Sequence, residues 1–299
     1  HSGLSIYHGY RWPAEYQGDI YTLNFHGRRV NRDELQTLGA TYSATHTPDP
    51  FKTSDPWFRG IDLFCGPDDA MYMLDWSDLG ECHENDGIHR SSGRIYRVDY
   101  EAPATPADNS AHAPQWTVAE VVKLLNGTDL MEIGRLLHDQ RPWVSRQARL
   151  RLQEHASGFG RQDAELSADL AKVKSQLWQA FQDATSSDLR FRLLTGMWAT
   201  GQLTPAELTA LLDHADPHVR VWAIRLLTDS SVAGNQQRLA GLALGSLSNE
   251  VVGSLVQQAA VEHHGLVLTY LASAMRLMNP NDRWTMACQL AKHGEFKDD

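Results

Sequence analysis

Three cysteines, Cys65, Cys82 and Cys288, are all that this 299-residue chain contains. They include no CxxC pair and are too few for a disulfide framework, so no small cystine-stapled domain is encoded. One bridge is the most they can form; Cys65 and Cys82 are the nearer pair and could join in an oxidising compartment, with free thiols the other reading. No run of about 18 apolar residues occurs, which rules out a transmembrane helix in this chain. Basic residues are short, 27 Lys plus Arg against 37 Asp plus Glu and a formal charge of −10. That balance disfavours a phosphate-backbone binder and sets nucleic acid aside as a partner. A GxSxG elbow, a Gly-rich phosphate loop and HExxH are also lacking, so hydrolase and nucleotide-binding readings have no support.

What is present divides into two styles of patterning. Length alone allows two compact units, and a hydrophobic content of 42% with nine Trp provides for real cores. From residue 1 to about 100 the pattern is of short strands between polar turns. Residues 19–25 alternate in part, His26-Gly27 offers a turn, and residues 28–31 return, which predicts a hairpin. Residues 60–64, 70–76 and 93–98 are three more strands, with a breaker-rich turn at Gly66-Pro67-Asp68-Asp69. This predicts the last blades of a β-propeller, with too few strands to close a ring and the domain continuing upstream. The chain opens at His1 and not at Met, so the absence of a signal peptide from it is uninformative.

Residues 101–116 shift to Ala, Pro, Asn, Ser and His, with Pro103, Pro106 and Pro114 breaking regular structure, and read as a linker. From residue 117 to 299 the period is helical. Thr117 with Glu120 three positions on has capping-box spacing before Val121, Val122, Leu124 and Leu125. Related phrases recur at residues 141–152, 188–194 and 216–227, with equivalent positions 144, 189 and 219. They bracket the 40–47-residue HEAT period loosely and predict a HEAT-like α-solenoid. There Pro217 opens a helix, Val219, Ala223 and Leu226 face a neighbouring helix, and the arginines form an outer rim. Residues 266–278 and 283–292 are further helices. No polar capping repeat is evident at the end, which reads as truncation there too.

The densest polar cluster runs from Asp75 to Arg90. It follows a strand, so Asp75, Asp78, His83, Glu84, Asp86, His89 and Arg90 would be displayed on a loop held by a sheet, the usual place for a binding site. Their oxygens and nitrogens suit a metal or a polar substrate. Equally, such Asp and Asn residues satisfy their own backbone in long loops. No metal-ligand spacing is met, so no metal ligands are assigned, and no catalytic residue is assigned either. Cys82-His83 has the ending of a haem-attachment CxxCH, but Leu79 stands where the first Cys would be, so this chain binds no covalent haem. Asn24 and His26 at the first hairpin, with Arg59 and Asp62 around a strand start, complete the candidate ligand-binding set. Each has a structural alternative as a turn former or ion pair. His214, His218, His263 and His264 fall at helix ends and read as solvated surface.

Five phrases carry a resemblance: residues 1–9, Trp12 to Gly18, Asn24 to Asn31, Ser54 to Arg59, and Glu81-Cys82-His83-Glu84-Asn85-Asp86-Gly87-Ile88-His89-Arg90. In these the chain resembles the membrane-bound dehydrogenase family of planctomycetes and verrucomicrobia. Residues 270–278 with Asp282-Arg283-Trp284 resemble the helical portion of that family. The resemblance implies a propeller related to quinoprotein sugar dehydrogenases, HEAT repeats and often a C-terminal c-type cytochrome domain. It further implies an extracytoplasmic or periplasmic oxidoreductase, membrane-associated as the family's name has it, that oxidises a sugar or polysaccharide alcohol and passes electrons to haem. Pyrroloquinoline quinone and calcium are the cofactors implied for such a parent protein. This chain lacks the cytochrome and most of a quinone pocket, so as a fragment it is expected to be inactive alone. The alternative function is a non-catalytic glycan- or protein-binding scaffold.

Overall fold

The computed structural model describes residues 1–79, 91–100, 115–158, 164–228 and 247–296. They fall into two compact units. The first comprises residues 1–36, 43–126 and 139–147; the second comprises residues 37–42, 127–138 and 148–299.

Among the described residues, seven strands form two antiparallel sheets. Strands β1 (Ser2–Ile6), β2 (Ile20–Asn24), β3 (Arg29–Leu38) and β4 (Thr41–Lys52) follow one another across the first. Strands β5 (Gly60–Cys65), β6 (Met71–Asp75) and β7 (Arg94–Val98) make the second. Period-two patterning decides which side of each strand is inside. Tyr21 and Leu23 of β2 are buried between half-exposed neighbours, and Met71 and Met73 of β6 repeat the arrangement. These four join Tyr7, Trp12, Val30, Phe58 and Leu63 in one core fed by both sheets. Tyr7 and Trp12 stack at 4.6 Å between ring centres, and the edge of Trp12 meets Tyr21 at 5.7 Å. Each fully buried side chain of this size contributes about 1.5–3 kcal/mol before the entropy of ordering is subtracted.

The strand-then-helix order is as expected, but the β-propeller is not. Among the described residues there are four strands in one small sheet and three in another, with no closed barrel and no propeller. Short strands punctuated by breakers are common to every antiparallel meander, so the pattern alone does not distinguish a blade from a pair of packed sheets. Of the expected linker, residues 101–114 lie outside the described residues.

Ten α-helices follow among the described residues: α1 (Val118–Leu125), α2 (Leu130–Arg135), α3 (Pro142–Ala156), α4 (Ala164–Asp183), α5 (Ser187–Ala199), α6 (Pro205–Ala210), α7 (Pro217–Leu227), α8 (Asn249–Val261), α9 (Gly265–Ala274) and α10 (Pro280–Leu290). The capping box at Thr117 and Glu120 forms as the spacing predicts, and Thr204 with Glu207 builds a second. Proline opens α6, α7 and α10, where its missing N–H has no partner to lose. No helix among the described residues is long and apolar enough to cross a membrane.

The three recurrent phrases do lie in helices, α3, α5 and α7, of 15, 13 and 11 residues. Their equivalent positions, 144, 189 and 219, are separated unequally, and no constant repeat length joins them into the expected HEAT array. Nor do their arginines all form an outer rim. Arg141 is 1% exposed and bonded to Asp139, and Arg220 is largely buried against Glu262. Buried arginine is tolerated because each guanidinium meets a carboxylate in bidentate geometry.

Candidate functional site

The residues expected at the sheet end are brought partly together. Asp75 ends β6 and is 4% exposed. One of its carboxylate oxygens accepts the backbone N–H of Arg59 at 2.7 Å and of Ser77 at 2.9 Å. The other accepts Arg94 Nε at 2.7 Å, and Arg94 reaches on to Asp55 at 2.7 Å. The backbone N–H of Trp57, and then Arg94, hold Asp55 below the ordinary carboxylate range. Arg59 donates to the carbonyls of Pro56, Phe58 and Leu79, and its guanidinium lies 5.7 Å from the centre of the Phe25 ring.

Asn24 accepts the Gly27 N–H at 2.8 Å, shaping the β2–β3 turn, while His26 is exposed beyond it. Asp62 sits apart, exposed at the β5 bulge, where it accepts the N–H of Leu63. Asp78 is half-buried and its N–H bonds Trp57 O at 2.9 Å. His83, Glu84, Asp86, His89 and Arg90 lie outside the described residues, as does Cys82. Cys65 is a free thiol whose pKa burial pushes up to about 11, far from a reactive thiolate. The described part of this cluster therefore closes a strand end with ionic and backbone bonds.

A second polar group in the same unit escaped the sequence reading. Asp69 occupies the left-handed region at φ 60° in the β5–β6 turn and is fully buried. One of its oxygens accepts the Tyr10 N–H at 3.1 Å; the other has no hydrogen-bond partner. Burial pushes its pKa up to about 7, against the Tyr10 bond and the nearby Arg141. The only signal in the sequence was the Asp68-Asp69 pair after Pro67, which by itself says turn.

The arrangement best suited to holding a ligand is in the helical unit, and sequence reading missed it as well. A pocket of about 410 Å³ lies between α7 and α9, within the usual range of roughly 300–1,000 Å³ for small-molecule sites. Helical spacing builds it: Trp222, Arg225 and Leu226 come from one face of α7. Tyr270, Ser273 and Ala274 come from one face of α9, and Arg276 from the turn that follows. Phe191 of α5 supports Trp222 at 4.8 Å between ring centres. The Arg225 guanidinium lies 4.2 Å from the Trp222 ring centre and 5.7 Å from that of Tyr270. Aromatic faces attract the cation without neutralising it. Among the described residues, no Asp or Glu lines the pocket. In a chain of net charge −10, two guanidiniums with no acidic side chain among the described lining residues make a local inversion of charge.

Residues 1–102 match the model of a domain of unknown function (DUF7133). The matched stretch covers the seven described strands and stops before α1. No curated protein and no solved structure matches the chain.

Proposed function

We propose that the chain is a non-catalytic binding module whose helical unit takes an acidic glycan, through a carboxylate or sulfate, in the pocket between α7 and α9. The observation that carries this reading is Arg225, held against Trp222 and Tyr270 and facing a pocket whose described lining includes a second arginine and no acid. A guanidinium oriented in advance loses little freedom when it forms a forked bond to an oxyanion, which favours recognition of a planar carboxylate or a sulfate. Ser273, Thr228 and the Tyr270 ring add the hydroxyls and apolar face that a sugar ring requires. A non-catalytic role is supported by the described sheet carboxylates: Asp75 and Asp55 are committed to backbone N–H groups and Arg94.

Calorimetric titration of the whole chain with oligogalacturonate, a sulfated oligosaccharide and a neutral oligosaccharide of equal length tests it. Saturable binding of an acidic oligomer alone, weakened at least tenfold by Arg225→Ala, is the expected result. Equal binding of the neutral sugar, or none of any, overturns the reading. Calcium with pyrroloquinoline quinone forms a further arm, and saturable uptake of that pair with turnover of a sugar alcohol would replace the binding module with the oxidoreductase.

A further inference from the structure

Far along the chain from the glycan pocket's α7 face, the end of α8 presents an acceptor that helical bonding leaves over. The last four carbonyls of a helix lack i+4 partners within it. For Ala259 the expected donor is His263 N–H, but that group bonds the Glu262 carboxylate at 3.0 Å. His293, just beyond α10, takes its place, with its Nε2 2.7 Å from Ala259 O. A carbonyl only accepts, so Nε2 carries the proton, and in the neutral ring Nδ1 is left with a lone pair. That lone pair faces another acceptor, Glu295 Oε1, at 3.5 Å.

Two acceptors at this separation need a proton or a cation between them. The short turn Gly294–Phe296 returns Glu295 beside His293, and His263 comes in from the α8–α9 corner, its ring centre 6.3 Å from that of His293. One ligand atom from each of His263, His293 and Glu295 lies within 4.8 Å of the other two.

We propose that His263, His293 and Glu295 form a divalent transition-metal site, suited to zinc, that ties the segment after α10 to the α8–α9 corner. Two imidazoles, a carboxylate and one water make a four-coordinate zinc set. Bonds of about 2.0–2.2 Å put tetrahedral ligand atoms some 3.3 Å apart, so His293 Nδ1 and Glu295 Oε1, at 3.5 Å, already stand near that spacing and His263 has at most about 1.5 Å to close on binding. His263 and Glu295 are exposed and can move, while His293 is held by Ala259. A ring whose second nitrogen is fixed on a backbone carbonyl is the arrangement typical of metal-bound histidine.

The test uses the whole chain, stripped with a chelator and titrated with zinc alone in the calorimeter and with cobalt in the spectrophotometer. One equivalent of zinc should bind saturably and raise the melting temperature, and cobalt should give the intense visible bands of a tetrahedral site. His263→Ala and Glu295→Gln alter exposed side chains and should each weaken zinc at least tenfold with little change in metal-free melting. His293→Gln keeps a donor for Ala259 O and removes the ligand nitrogen, and should abolish the cobalt bands. The chain has 14 histidines, so adventitious binding is the rival outcome. Zinc uptake unchanged in all three variants, or no saturable uptake by the parent chain, overturns the site.

Discussion

Arg220 of α7 grips both carboxylate oxygens of Glu262, at 2.8 Å each, where the chain turns from α8 into α9. Gln258 and the backbone N–H groups of His263 and His264 complete the coordination of the carboxylate. Glu262 is 3% exposed. Burial alone would raise its pKa, but the Arg220 bonds, with Gln258 and the His264 N–H, bring it down to about 2.

Removing Arg220 leaves that buried charge with amides only, so Arg220→Ala should cost about 3–5 kcal/mol in urea unfolding. The pH dependence has a fixed sign. A carboxyl whose folded pKa lies below its ordinary 4.5 contributes its stability in full above about pH 5 and loses it as pH falls towards 2. The parent chain should therefore lose stability between pH 5 and 2 more steeply than Arg220→Ala. Parallel pH curves would assign the pair no such role.

Asp69 works in the opposite direction. Its folded pKa of about 7 lies above the ordinary 3.8, so the unfolded chain releases the proton first as pH rises. Stability is then lost progressively between about pH 4 and 7. Asp69→Asn keeps an acceptor for the Tyr10 N–H, and Asn accepts the left-handed backbone that φ 60° demands. The variant should gain on the order of 2–4 kcal/mol at pH 7.5 and nothing at pH 4, read by thermal melts at the two pH values. Equal melting at both would mean that Asp69 ionises normally.

The pocket reading separates charge from shape. Arg225→Lys retains the charge but not the planar fork, and should lose an acidic glycan nearly as completely as Arg225→Ala does. Trp222→Ala, which removes the ring 4.2 Å from Arg225, should weaken binding several-fold through the arginine it no longer orients. Arg276→Ala should reduce both the affinity and its dependence on salt, since one of two cations is gone. A salt-independent affinity would point to apolar contacts in place of oxyanion recognition.

Much of the fold is legible in the chain because local signals and tertiary packing agree. The strands at residues 20–24, 60–65, 71–75 and 94–98, the capping box at Thr117 and the helix start at Pro217 all fall where the patterns put them. β4 is hidden because Pro48 and Pro50 interrupt it; an edge strand tolerates them, having one side free of ladder bonds. The sites were far less legible. Arg225 meets Trp222 by helical spacing alone, but Tyr270 is 45 positions further on, and nothing local pairs α7 with α9. The same holds for His263 and His293. Asp75 and Arg59 read as candidate ligand-binding residues, and nothing local in the sequence signals that backbone N–H groups and Arg94 already fill the Asp75 carboxylate.

One further packing relationship tests the helical unit directly. Gly196 lies inside α5, an unfavourable place for glycine, because a Cβ there would lie 2.2 Å from Leu137 Cδ1. Leu137 is 1% exposed and has no solvent to move into. Gly196→Ala should therefore destabilise by about 1–3 kcal/mol, despite alanine's better helix propensity. Leu137→Ala opens a cavity and should cost about 2–5 kcal/mol on its own. Combined, the new methyl enters the space that the leucine vacates, and the pair should cost at least about 1 kcal/mol less than the two separate losses added together. Strict additivity in denaturant titrations would place the two side chains out of contact and disprove this packing of α5.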